Sequence, residues 1–234
     1  MIPLDIVEGI ACESLKVLPE EACGFVVDNE IVPCKNVHSS PLTNFAIAAE
    51  DYARAESLGD IQFVYHSHVD APCRFSLHDI KACKQSNLPW LIYHPLSGDH
   101  TYADPRGSAP YEGRCWVYGI HDCYGLVRDF FLNEFGITLD DFERGDEEEW
   151  KASEWNMFEE HWQMQGFYEI EAPQQKGDVV LMQIESPTPN HVGVIAGKGN
   201  KFYHHLLGRY SEASTWGDFW SKMTVKTLRH KEAR

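Results

Sequence analysis

Gln62-Phe63-Val64-Tyr65-His66-Ser67-His68 is an apolar run that ends in two histidines one residue apart, and after seven further residues Ser76 and Asp79 follow. The run predicts a strand, and two imidazoles separated by one residue on extended backbone point to the same side. Ser76-Leu77-His78-Asp79 fits the capping-box spacing of a helix start, with Ile80 to Gln85 able to continue the helix. A third ligand, Asp79, can therefore arrive from a helix that follows the strand, and Ser76 stands one turn before it on the same face. Three protein ligands, His66, His68 and Asp79, leave the fourth tetrahedral position to water, which separates a catalytic zinc from a closed structural one. Amide hydrolysis at such a centre also needs a carboxylate base and a donor for the oxyanion. HxH alone occurs often by chance in a chain with 12 histidines, so the weight rests on the whole ordered pattern.

Around this stretch the amino-terminal part alternates helices and strands. Leu4 to Leu18 has apolar residues at helical spacing and ends at Pro19. Cys23 to Val27 reads as a buried strand with Ile31-Val32 as its hairpin partner, Asp51 to Leu58 as a short helix closed by Gly59, and Trp90 to His94 as a further strand. From Ser97 to Gly113 the glycines and prolines accumulate without periodicity, and an interdomain linker is expected there. The chain divides on this basis into residues 1–105 and 110–234.

The second part carries Asp122-Cys123-Tyr124-Gly125-Leu126-Val127 at the start of a helix that runs to Glu134 and stops at Gly136. A helix over Glu147 to Trp162 and strands over Asp178 to Gln183, His191 to Ala196 and Lys201 to Leu207 are expected. A cysteine at a helix start gains thiolate character from unpaired amides and the helix dipole, and a histidine can take its proton. His191 opens a strand whose neighbour brings His204 and His205, and either could hold the ring of His191 from its far nitrogen. Cys123 is thus expected to be appreciably thiolate. Cys12, Cys23, Cys34 and Cys115 are expected to be buried core cysteines, the commonest fate of a free thiol.

With 20 Lys and Arg against 36 Asp and Glu, the net charge of −16 argues against a broad electrostatic grip on nucleic acid or anionic membrane. Asp140, Asp141, Glu143, Asp146, Glu147, Glu148 and Glu149 concentrate part of that excess and read as a solvated stretch. No segment approaches the length needed to span a bilayer, the amino terminus lacks a signal-peptide pattern, and synthesis and folding in a bacterial cytoplasm are expected. Seven cysteines without a CxxC pair favour neither a disulfide framework nor a cysteine zinc knuckle.

The residues His66, His68, Ser76 and Asp79, in that order and spacing, resemble the JAMM (MPN-type) metalloprotease family. The resemblance implies a cytidine-deaminase-like α/β domain, zinc as cofactor, Ser76 as oxyanion donor and a catalytic glutamate just before a Cys-Gly pair, which falls on Glu21. Val69 departs from the Pro common at that position. Asp122-Cys123-Tyr124-Gly125-Leu126-Val127 with His191-Val192-Gly193-Val194 resembles the NlpC-type branch of papain-like cell-wall endopeptidases. That resemblance implies a papain-like domain with an antiparallel sheet, Cys123 as nucleophile, His191 as base, His204 as the better placed third member, and Tyr111 in the oxyanion region. Tyr124 replaces the small residue common in the wider family.

Taken together, an α+β chain of two such domains resembles a family of tail tip proteins of lambda-like siphophages. This implies peptidoglycan stem peptides as substrate, other tail tip proteins as partners, and a place at the virion tail tip, during assembly or after it. The rival expectation is a structural or assembly component that uses both peptidase folds for docking without turnover.

Overall fold

The computed structural model describes residues 2–142, 161–173 and 175–233, and these fall into two compact units, Met1–Arg106 and Gly107–Arg234. The helix expected over Glu147–Trp162, apart from its last two residues, and most of the acidic run lie outside the described residues.

The first unit is a five-stranded sheet in the order β2-β1-β3-β4-β5, formed by β1 (Cys23–Val27), β2 (Glu30–Cys34), β3 (Ile61–Ser67), β4 (Trp90–Tyr93) and β5 (His100–Ala103). All neighbours are antiparallel except β3 and β4. That one parallel pair requires a crossover, which α3 (Leu77–Ser86) supplies. Helix α1 (Leu4–Lys16) buries Ile6 and Ile10 against Val26, Phe63, Tyr65 and Leu91, and α2 (Ala49–Leu58) precedes β3. The stretch from Ser97 to Gly113 is not wholly a linker: its residues 100–103 form β5, an edge strand paired with β4. Four residues flanked by Gly98 and Pro105 are too few for periodicity to register.

The second unit is a six-stranded antiparallel sheet in the order β10-β9-β8-β7-β11-β6. In chain order its strands are β6 (Phe167–Ile170), β7 (Val179–Met182), β8 (His191–Ile195), β9 (Lys201–His204), β10 (Glu212–Thr215) and β11 (Thr224–His230). Helix α4 (Cys123–Phe135) lays Leu126, Val127, Phe130 and Phe131 on one face, against Val179, Leu181, Val192 and Val194. Strand alternation sends Val180, Met182, Ile195 and Phe202 to the other face, covered by Trp216 and by Trp220 of α5 (Asp218–Met223). Burying a side chain such as Phe130 or Leu126 contributes roughly 1.5–3 kcal/mol. Among the described residues no helix is long and apolar enough to cross a membrane.

Candidate functional sites

The first site is assembled by strand pairing and a helix cap. β3 runs antiparallel to β1 with Cys23 opposite His66, which brings the chain just before β1 alongside the two histidines. Ser67 locks this junction, its backbone amide donating to the Ala22 carbonyl at 2.9 Å and its hydroxyl accepting from the Ala22 amide at 2.8 Å. The amide of Glu21 donates to the Pro41 carbonyl at 2.7 Å, and Asn36 donates to the Glu21 carbonyl at 3.0 Å. The Glu21 backbone is thereby held, and its buried carboxyl interacts electrostatically with His68 and Asp79.

Asp79 is the N3 residue of a complete capping box. Its Oδ2 accepts from the Ser76 amide at 2.8 Å and from the Ser76 hydroxyl at 2.6 Å, while Ser76 Oγ accepts from the Asp79 amide at 3.1 Å. The same contacts that start α3 therefore aim a carboxylate at the histidines. Ser76, expected as an oxyanion donor, here gives its hydroxyl hydrogen to Asp79 and positions that residue.

His66 Nε2 lies 3.1 Å from His68 Nε2 and 3.3 Å from Asp79 Oδ1, and His68 Nε2 lies 3.6 Å from Asp79 Oδ2. Tetrahedral ligands 2.0–2.1 Å from one zinc stand about 3.3–3.4 Å apart, so the three donors have the spacing of a metal site. His68 Nδ1 is 2.9 Å from the Pro72 carbonyl, which fixes a proton there and turns the Nε2 lone pair inward. The His66 ring is held by packing instead, stacked on Phe45 at 4.4 Å and edge-on to Trp90 at 5.6 Å. Phe45, Trp90 and Ser67 escape a motif reading because their contribution is contact rather than ligation.

The electrostatics agree with a cation site. Burial opposes ionisation of Asp79, but hydrogen bonds from His66, His68 and Ser76 outweigh it and hold its carboxyl well below the usual range. Burial pushes His66 down. His68 is also penalised by burial, yet hydrogen bonds to Asp79 and Pro72 raise it, so a proton is drawn to where a metal would sit. A metal would replace that proton. Glu21 is pushed up to about 7 by burial, with His68 pulling it down and Asp79 pushing it further up.

The second site begins at the cap of α4. Asp122 Oδ1 accepts from the Gly125 amide and Oδ2 from the Gly119 amide, both at 2.7 Å, which fixes the turn that presents Cys123 as the first helical residue. A Cβ at Gly125 would lie 2.0 Å from the Ile120 carbonyl oxygen, so the Asp-Cys-x-Gly pattern has a steric cause. α4 packs on β8, the strand that His191 opens. The Asn190 side chain pins the entry to that strand by accepting from the Ile184 amide at 2.8 Å and donating to its carbonyl at 2.9 Å.

His191 Nε2 is 3.2 Å from His204 Nδ1, and both rings are buried. The His204 ring stacks on Phe202 at 4.6 Å and meets Trp220 at 4.5 Å. Gly193 makes room for this arrangement, since a Cβ there would lie 2.8 Å from the Phe202 ring. His205 points away: its Nε2 meets the Arg209 carbonyl at 2.9 Å and its ring stands edge-on to Trp116. Of the two candidates for the partner of His191, the structure joins His204 to it.

Burial lowers His191 to about 3, with His204 and His205 adding like-charge opposition. His204 and His205 are lowered to about 4, again chiefly by burial. Burial thus disfavours the charged imidazolium form of His191. Tyr111 departs from expectation. Its hydroxyl donates to Glu134 at 3.0 Å and its ring packs on Phe130 and Tyr203. Glu134 lies about 16 Å along α4 from Cys123, so Tyr111 is anchored at the far end of the helix from the thiol. Cys12 is exposed and Cys34 and Cys115 are half-buried, whereas Cys23 is buried as expected.

Two compact units, a mixed five-stranded sheet with its His-His-Asp cluster and an antiparallel six-stranded sheet with its histidine pair, define a two-domain protein. Residues 4–119 match the prokaryotic homologs of the JAB domain and residues 112–229 match the NlpC/P60 family. Tail tip assembly protein K of Escherichia phage N15 is 36% identical over 233 residues, covering 97% of this chain and 95% of its own length. Tail tip assembly protein K of Escherichia phage lambda is 31% identical over 189 residues, covering 80% and 91% respectively. The chain belongs to this tail tip assembly protein K family, whose JAB-like half precedes an NlpC/P60 half. Among solved structures, a protein from Desulfitobacterium hafniense covers 42% of this chain and 77% of its own at 20% identity, with a TM-score of 0.36 that adds nothing to the fold assignment.

Proposed function

We propose that this protein is a phage tail tip component carrying two peptidase sites, a cysteine site that cuts peptidoglycan stem peptides and a zinc site that cuts a peptide or isopeptide bond. The observation that supports it most is the hydrogen-bonded pair His191 and His204 on strands adjoining the helix that Cys123 opens. In the cysteine site, His191 Nδ1 takes the thiol proton as sulfur attacks the scissile carbonyl. His191 then gives the proton to the departing amine, leaving a thioester that water cleaves to regenerate the thiol. His204 holds the far nitrogen of His191.

In the zinc site, His66, His68 and Asp79 would hold the ion, which would supply Lewis-acid chemistry there. Glu21, poised near neutrality by burial, takes the proton of the attacking water and returns it to the leaving amine. Kinship with tail tip assembly proteins supports other tail proteins as partners and the virion tail tip as the place of action.

Metal analysis of the purified protein combined with digestion of purified peptidoglycan tests both sites. One zinc per chain, lost in the His66→Ala/His68→Ala double variant, and stem-peptide release abolished in Cys123→Ala are expected. Zinc retained in the double variant refutes the metal assignment, and peptidoglycan left intact by the wild type favours a docking component without turnover.

A further inference from the structure

Two side chains on β10 continue the hydrogen-bonded pair His191 and His204 beyond its second member. β10 pairs with β9 so that Glu212 faces His204 across the ladder and Ser214 faces Phe202, which puts both on the side of the sheet where His204 lies. His204 Nε2 is 3.1 Å from Ser214 Oγ and 3.3 Å from Glu212 Oε1, and Ser214 Oγ is 3.4 Å from Glu212 Oε1. His204 itself is fully buried, while Glu212 is half exposed.

With both rings neutral, one proton is shared between His191 Nε2 and His204 Nδ1, and only two arrangements exist. Either His191 donates through Nε2, which leaves its Nδ1 as a bare base, or His204 donates through Nδ1, which forces the His191 proton onto Nδ1 and removes the base. The second arrangement would turn a lone pair of His204 Nε2 toward the acceptor-only carboxylate of Glu212. The first lets His204 Nε2–H donate to Ser214 Oγ and Glu212 Oε1.

We infer that Glu212 and Ser214 are positioning residues that fix the proton of His204 on Nε2 and, through it, keep His191 Nδ1 unprotonated to receive the proton of Cys123. This rests on the cysteine-peptidase reading and extends it by one layer. The surroundings leave these two residues as the selecting groups. Packed around His204, β8 contributes His191, β10 Glu212, α5 the uncharged ring of Trp220, and β9 His205, which bonds the Arg209 carbonyl instead.

The test is a long-range nitrogen–proton correlation spectrum of the histidine rings of the full 15N-labelled chain, which reads each tautomer directly, alongside mass-spectrometric mapping of the Cys123 alkylation rate. The wild type is expected to show His204 and His191 each protonated on Nε2. In Glu212→Ala/Ser214→Ala, His191 is expected to show a mixture of tautomers, and Cys123 alkylation to slow by about 10–100-fold, as when outer hydrogen-bond partners of a working imidazole are removed. Ser214→Thr, which keeps the hydroxyl, is expected to retain the wild-type spectrum and rate. A wild-type His204 carrying its proton on Nδ1 overturns the inference whatever the variants do, and so does a double variant with wild-type tautomers and rate. A Cys123 rate unchanged in His191→Ala would instead sink the cysteine-peptidase reading, so the two failures are told apart.

Discussion

Acidification from pH 7.5 to 5 should destabilise the second unit through three buried histidines. His191 is lowered from 6.5 to about 3, and His204 and His205 to about 4. Below pH 6.5 the unfolded chain takes up protons that the folded rings refuse until about pH 4, so stability is full above 6.5 and falls as pH drops through this window. At pH 5 the unfolded state gains about 2 kcal/mol per ring. Because that protonation takes place in the unfolded chain, where the rings are nearly independent, three rings give up to about 6 kcal/mol, comparable to the whole stability of a domain. Six of the seven tryptophans fall in residues 107–234, so urea unfolding of the full chain followed by tryptophan fluorescence reports mainly on this unit. His204→Asn removes one titrating ring and should lessen the fall between pH 7.5 and 5 by about a third. Unfolding free energy that stays flat over this range, or falls just as steeply in His204→Asn, would refute burial of neutral rings as the controlling term.

Glu21→Gln keeps the shape of the side chain without its basic oxygen, so zinc content should persist while hydrolysis by the first site falls about 10²–10⁴-fold; loss of metal in this variant would make Glu21 a ligand. Ser67→Ala leaves the buried Ala22 amide without its hydroxyl acceptor and should cost about 1–3 kcal/mol in denaturant unfolding, and no loss would show the junction is held by the sheet alone. Gly125→Ala drives a Cβ into the Ile120 carbonyl and should cost at least about 1–3 kcal/mol, read as a lowered thermal midpoint, with a wild-type midpoint excluding the steric cause given for this glycine.

Local chemistry carried much of this protein in its sequence. The His66, His68, Ser76 and Asp79 pattern needs only a strand end and a helix cap to converge, and both are written in residues close along the chain, so the cluster was legible before any folding. The start of α4 at Cys123 and its stop at Gly136 were legible for the same reason, since caps are short-range. The edge strand β5 was not, because an edge strand of four residues is stabilised by its neighbour β4 and leaves no periodic trace. Residue chemistry alone could not choose between His204 and His205, which are adjacent and identical, although the family resemblance favoured His204. Strand alternation sends one ring toward His191 and the other toward Arg209, and only the register of β8 with β9 decides which. Tyr111 shows the limit from the other side: the family resemblance implies an oxyanion role for it, yet packing on Phe130 and Tyr203 carries its hydroxyl to Glu134. The neutral state of His191 likewise depends on burial supplied by segments far apart in sequence, and burial is a property of the assembled fold.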